Sequence, residues 1–222
     1  MSVRFRRGNS GTIFVPSRGK PPEPPQGYVR DPGNPYRFNP EVVPEDSPPL
    51  QVYQHLYDDP LLKYGDANFN RCPGTRFLPL YEHWLRSPVF DFGCGRGHTV
   101  VAMKRRGFVA MGMDMVDTGS GMFIGDITQP VSDVLDYKTA ISIDVFEHLL
   151  DEDLFGLIKN MQHAERQVIS VHTGRAHEQG VKQDLHINKK SFEDWDFFLS
   201  KFFDVDKFER TGRQRGLFYC LM

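Results

Sequence analysis

A chain of 222 residues, 39% of them hydrophobic, is long enough to bury the core of one ordinary domain and to carry an appendage. Its formal net charge of −2 gives no general attraction to nucleic acid, although a local basic patch could supply one, and no apolar stretch approaches the roughly 18 residues that a membrane-spanning helix requires. Three cysteines, Cys72, Cys94 and Cys220, lie far apart with no CxxC spacing, which argues against a disulfide framework and a zinc knuckle and makes a reducing cytoplasm the default expectation.

Residues 1–50 read as an arm. The stretch "PSRGKPPEPPQGYVRDPGNPYRFNPEVVPEDSPP" is dense in proline, which removes amide donors and opposes helix and central strand, so the arm is expected to be extended or loop-like. The opening "MSVRFRRGNSG" has the charge but not the apolar core of a signal peptide, and a soluble, unexported protein is expected. The first twenty residues carry Arg4, Arg6, Arg7, Arg18 and Lys20 with no acid. The plain reading is a solvated tail. Tyr28, Tyr36 and Phe38, interleaved with arginines, keep contact with nucleic acid open through this arm, since aromatics stack on bases while arginines hold phosphates.

Residues 51–222 read as alternating strands and helices. Val89–Phe92 is a short apolar run; Gly93, Gly95 and Gly97 follow at every second position; "HTVVAMKRRG" is then a short helix closed by Gly107 with basic residues in its last turn. "FVAMGMD" up to Asp114, "MFIGD" up to Asp126 and "TAISIDV", Thr139 to Val145, are the next strands. Leu150, Leu154, Ile158 and Met161 recur at helical spacing, and "RQVISVH" is a strand ending at His172. Ser191 and Asp194 have the capping-box spacing ahead of an apolar face of Trp195, Phe198, Leu199 and Phe202. "DVDKFER" and "GLFYCLM", separated by "TGRQRG", predict an antiparallel pair.

This alternation predicts an α/β fold with a mostly parallel sheet, whose ligand lies beyond the carboxyl ends of the strands. Asp91, Asp114, Asp126 and Asp144 stand at those ends. Such an edge repels phosphate; the Lys-Ser/Thr ending of a P-loop is missing after Gly97, and His98 stands where the third glycine of G-x-G-x-x-G would be. A nucleoside triphosphate and a nicotinamide dinucleotide are both disfavoured.

"VFDFGCGRG", the acid Asp114, the pair Gly125-Asp126 and "DVFEHL" at Asp144 to Leu149 together resemble the class I S-adenosylmethionine-dependent methyltransferases over about residues 50 to 222. The resemblance implies a Rossmann-like, doubly wound, seven-stranded sheet, mostly parallel with an antiparallel C-terminal strand. It implies S-adenosylmethionine as cofactor and S-adenosylhomocysteine as product; the cofactor is cationic at its sulfur, carries a free amino group and has no phosphate, which suits an acid-lined cleft. By resemblance, Phe92, Gly93, Cys94 and Gly95 form the turn against which the methionyl end lies, and Asp91 orients the cofactor's amino group. Asp114 accepts both ribose hydroxyls; Asp126 takes the adenine amine, with Ile127 at the ring edge and Met115 on its face. Asp144 and Val145 lie near the methionyl carboxyl and the methyl donor, and Tyr64 closes over the cofactor. Each acid has a plainer reading as a helix cap, and Cys94 reads as a packing choice rather than a nucleophile.

Methyl transfer from a sulfonium is an in-line displacement that asks mainly for positioning, with a base needed only where the acceptor loses a proton. His148, His172 and His186 are the candidate bases, each equally readable as structural. Asp144, Glu147 and His148, at i, i+3, i+4, together with His186, could hold a divalent metal, as in the "ExxEH" plus histidine site of small-RNA 3′-terminal 2′-O-methyltransferases, which the segment resembles with Asp144 in place of the first glutamate; the common "DVFEHL" reading needs no metal. The acceptor is unassigned. A small molecule or a protein side chain is preferred slightly over nucleic acid, because no "NPPY"-like tetrapeptide follows the fourth strand. A non-catalytic fold that keeps S-adenosylmethionine as an effector is the alternative of a different class.

Overall fold

The computed structural model describes residues 72–222 apart from 119–120, 132–135 and 177–183, together with Phe69, residues 52, 53, 56 and 57, and the backbone of four short N-terminal strands. The chain divides into two compact units, Met1–Gly65 with His177–Asp184, and Asp66–Ala176 with Leu185–Met222.

In the first unit, β1 (Arg6–Arg7), β2 (Ile13–Phe14), β3 (Tyr28–Asp31) and β4 (Asn34–Pro40) form an antiparallel sheet in the order β1-β2-β4-β3. The arm expected to be extended or loop-like is therefore paired in these stretches. Proline is tolerated because Pro40 ends its strand and Pro35 falls where the β3–β4 register slips beside Arg30 and Asp31.

The second unit opens with α1 (Pro73–Tyr81), which the sequence reading did not assign; it starts with proline at its first position, where a missing amide donor costs nothing. There follow β5 (Val89–Phe92), α2 (His98–Arg105), β6 (Ala110–Asp114), β7 (Phe123–Ile124), β8 (Thr139–Ile143), α3 (Asp151–Met161), β9 (Arg166–His172), α4 (Phe192–Leu199), β10 (Asp204–Arg210) and β11 (Arg215–Leu221). The seven strands β5 to β11 are ordered β10-β11-β9-β8-β5-β6-β7, parallel except that β11 runs antiparallel to both neighbours. The expected sheet is present, and the capping box of Ser191 and Asp194 closes the start of α4.

Two apolar layers cover the sheet. On one face, Leu154, Leu157, Ile158 and Met161 of α3 and Trp195, Phe198 and Leu199 of α4 pack on Phe90, Phe92, Ala140 and Ile169. On the other, Phe77, Leu78 and Tyr81 of α1 and Val100, Ala102 and Met103 of α2 pack on Val89, Ile141, Val168, Leu217 and Tyr219. At roughly 25 cal/mol per Å² of apolar surface, these layers are the main driving force for folding and fix the parallel strands in register. Their carboxyl ends converge on one edge. Among the described residues no helix is long and apolar enough to cross a membrane.

Candidate functional site

The turn after β5 is held open by conformation. Gly93, Gly95 and Gly97 have φ of 76°, 53° and 68°, in the left-handed region where a side chain is strained. Their neighbours fix the turn to β6, because the Gly93 and Cys94 amides both donate to the Met113 carbonyl, at 2.9 and 3.1 Å. Val145 closes over the turn: a Cβ on Gly93 would stand 2.5 Å from its Cγ2. Phe92 is wholly buried in the core, and only its backbone, which accepts a hydrogen bond from Ser142 Oγ, reaches this edge. Cys94 is buried and its thiol is pushed far up, first by burial and then by Asp91, which disfavours the thiolate a nucleophile needs.

The acids differ in state. Asp91 is 2% exposed, and its carboxylate receives no hydrogen bond among the described residues; burial, with Asp114 adding to it, raises its pKa to about 8. Asp114 accepts the Gly95 amide at Oδ2, 2.8 Å, and the Val116 amide at Oδ1, 3.1 Å. Burial raises its pKa while these amides pull it down. Each oxygen keeps a lone pair for a second donor. Asp126 is exposed and accepts the Thr128 amide and hydroxyl at Oδ1, 2.9 and 2.7 Å. Met115 is 43% exposed, and Ile127 is buried against the core. Tyr64 lies outside the described residues.

Asp144 departs from the arrangement its spacing suggested. It has φ 56°, unusual for a residue with a side chain, and stands before the single helical turn Phe146–His148 rather than on it. Ser170 Oγ donates to its Oδ1 at 2.7 Å, while Arg215 Nε and Nη2 donate to Oδ1 and Oδ2 at 3.0 and 2.5 Å. The carboxylate is thus taken up by a two-pronged ion pair.

Glu147, His148, His172 and His186 do come together. Glu147 is completely buried; the His172 amide donates to its Oε1 at 2.9 Å, and its Oε2 has no hydrogen-bond partner among the described residues. Burial, then the charge of Asp144, raises its pKa well above the ordinary value. His186 Nε2 stands 3.9 Å from Glu147 Oε1, and its ring lies 4.7 Å from that of His148 and 5.1 Å from that of His172. The backbone carbonyls of Leu185 and Gly174 face Nδ1 of His148 and His186 respectively. A carbonyl only accepts, so both rings carry hydrogen at Nδ1, and Nε2 is the nitrogen through which each could ligate a metal. The liganding atoms of Glu147, His148 and His186 all lie within 4.8 Å of one another. His172 is different. Its Nδ1 accepts the Gly174 amide at 3.3 Å, and burial, with Arg215, lowers its pKa, so its neutral ring carries hydrogen at Nε2 and is a poor base.

Three residues missed in the sequence organise this edge. Asn188, in the segment carrying His186, donates to the Leu149 carbonyl at 3.0 Å and to Asp151 at 2.8 Å, and its amide donates to the Glu147 carbonyl, which straps His186 beside Glu147. Asn160 of α3 is the second; its side chain bonds the backbone of Ile127, Gln129 and Val131. Arg215 is the third; it sat unremarked in the turn-like "TGRQRG", and nothing local announces a partner 71 residues away.

No family model and no curated protein sequence matches the chain. Solved structures do. The methyltransferase domain of bacterial CtHen1 superposes with a TM-score of 0.53 at 15% identity, over 70% of this chain and all of that one. A protein from Pyrococcus horikoshii gives a TM-score of 0.58 at 14% identity, over 72% and 94% of the two chains. The glycopeptide N-methyltransferase MtfA, crystallised with S-adenosylmethionine, gives 0.54 at 12% identity, over 68% and 88%. The chain has the class I methyltransferase fold.

Proposed function

We propose that this chain is an S-adenosylmethionine-dependent methyltransferase acting on an oxygen or nitrogen of its acceptor, and that Asp91 is the observation that carries the reading. A carboxyl group 2% exposed, with no hydrogen-bond donor among the described residues and beside a second carboxylate, is poorly satisfied on its own. A cationic, amine-bearing ligand at the glycine turn satisfies it, and an anionic one makes it worse. The cofactor supplies the electrophilic methyl group. The chain's residues bind and orient: Asp91 takes the ammonium end, Asp114 accepts hydroxyls with the lone pairs that Gly95 and Val116 leave, and Asp126, Ile127 and Met115 flank the base. That MtfA holds S-adenosylmethionine in the same fold supports this. Calorimetry with S-adenosylmethionine and S-adenosylhomocysteine tests it: binding abolished in Asp114→Ala is expected, and a wild-type chain binding neither ligand refutes it.

A second reading is favoured by the cluster of Glu147, His148 and His186. One buried carboxyl with an unpartnered oxygen and two imidazoles presenting Nε2 form a two-histidine, one-carboxylate donor set suited to a divalent cation, each ring oriented by a carbonyl behind it. In that reading the chain is a metal-assisted RNA 2′-O-methyltransferase, in line with the resemblance of "DVFEHL" and His186. Without a metal, His172 is disfavoured as the base, since its lone pair already accepts the Gly174 amide. Acceptor screening with a labelled methyl group, in manganese and in excess chelator, separates the two. Loss of turnover in chelator is the expected result for the metal reading; full turnover on a small molecule or protein removes it.

A further inference from the structure

The sequence supplies four residues of ligand type at this edge, Asp144, Glu147, His148 and His186, but the fold brings only the last three together. Asp144 is held elsewhere. Its φ of 56° turns it out of the short helical turn that carries Glu147 and His148. Both carboxylate oxygens are engaged, by Ser170 at 2.7 Å and by two nitrogens of Arg215 at 3.0 and 2.5 Å. The two side chains are 14% and 20% exposed, and the Arg215 guanidinium lies 5.5 Å from the Phe77 ring centroid. Moving Asp144 into a metal's coordination shell would leave that guanidinium partly buried without its counter-charge. Aspartate is also one methylene shorter than glutamate, so the move requires the backbone to shift.

Resting on the metal reading above, we infer that the divalent-cation centre takes three protein ligands, Glu147, His148 and His186, and that Arg215 holds Asp144 outside it. Two imidazoles and one carboxylate leave the remaining positions of an octahedral ion open to water and to an oxygen of the acceptor. Asp144 is then a structural counter-charge that joins β8 to β9 and β11 at the rim of the centre.

Manganese titration of the full chain tests this, by calorimetry and by electron paramagnetic resonance. Wild type is expected to bind one ion; Glu147→Gln weakens binding by at least about tenfold, and Asp144→Asn leaves it unchanged within error. A paired Asp144→Asn, Arg215→Met variant, which removes both charges and keeps at 144 a residue that tolerates the left-handed conformation, is expected to bind as wild type does. Oxygen-17 water broadening on the unaltered protein reports about three exchangeable oxygens on six-coordinate manganese, against about two if Asp144 joins. A loss in Asp144→Asn equal to that in Glu147→Gln, or about two exchangeable oxygens, overturns the inference while sparing the metal reading. Absence of stoichiometric binding by wild type overturns both.

Discussion

Gly156 of α3 lies so close to Thr128 that a Cβ on it would stand 1.9 Å from the Thr128 carbonyl oxygen. Glycine inside a helix ordinarily costs about 1 kcal/mol against alanine, so Gly156→Ala would stabilise an isolated helix. Here the obstacle is backbone, which no rotamer can avoid. The substitution is expected to destabilise the protein by about 1–3 kcal/mol, read by urea unfolding, and to weaken S-adenosylhomocysteine binding, because Thr128 follows Asp126 and Ile127 in the same loop. A more stable variant would show that the helix and loop are free to part.

Asn160, one turn further along α3, holds that loop by its side chain. Nδ2 donates to the carbonyls of Ile127 and Gln129, both at 2.8 Å, and Oδ1 accepts the Val131 amide at 3.1 Å. Asn160→Ala leaves three backbone groups without their partner, at about 1–3 kcal/mol for each that stays buried and unsatisfied. If this loop reads the base, the variant also loses preference for S-adenosylhomocysteine over its inosine analogue; the ratio of the two dissociation constants measures that directly.

Asp91 makes cofactor binding depend on pH. Its carboxyl is neutral below about 8 in the unliganded protein, and an ammonium partner requires the charged form. Affinity is therefore expected to rise by up to about tenfold per pH unit below 8 and to level off above it, with proton release seen as a buffer-dependent binding enthalpy. Asp91→Asn removes the slope. Stability of the unliganded chain runs the other way: the folded value lies above the unfolded one, so the contribution of the neutral form is complete below the unfolded value and is lost as pH rises through about 8.

Cys94 and Cys220 are both buried with thiols pushed up by burial, that of Cys220 to about 12, whereas Cys72 is only partly covered. Brief alkylation of the folded chain is expected to mark Cys72 ahead of the other two, resolved by peptide mass. Rapid labelling of Cys94 would mean that the glycine turn opens to solvent.

The strand ends, the glycine turn and the capped α4 were legible because each is written in adjacent residues: Val89–Phe92 in its apolar run, the turn in alternate glycines, α4 in the Ser191 to Asp194 spacing. The four strand-end acids were legible as a row, but not their states. Among the described residues Asp91 receives no hydrogen bond while Asp144 receives three, a difference set by Ser170 and Arg215, which approach from β9 and β11. The spacing of Asp144, Glu147 and His148 suggested a shared helical face; the left-handed conformation at Asp144 broke that face, and no glycine marked it. In the N-terminal stretch the prolines pointed away from a sheet because their places, at a strand end and in a register slip, depend on pairing partners.

The antiparallel placing of β11 has a consequence for the growing polypeptide. β11 pairs with β9 on one side and β10 on the other, so it fills a gap between two strands synthesised before it. Until residues 215–221 emerge from the ribosome, the backbone of β9 presents an unpaired edge, the kind that recruits other chains. Asp144 meanwhile waits without its arginine, so β11 both closes the β9 edge of the nascent sheet and brings that carboxylate its counter-charge.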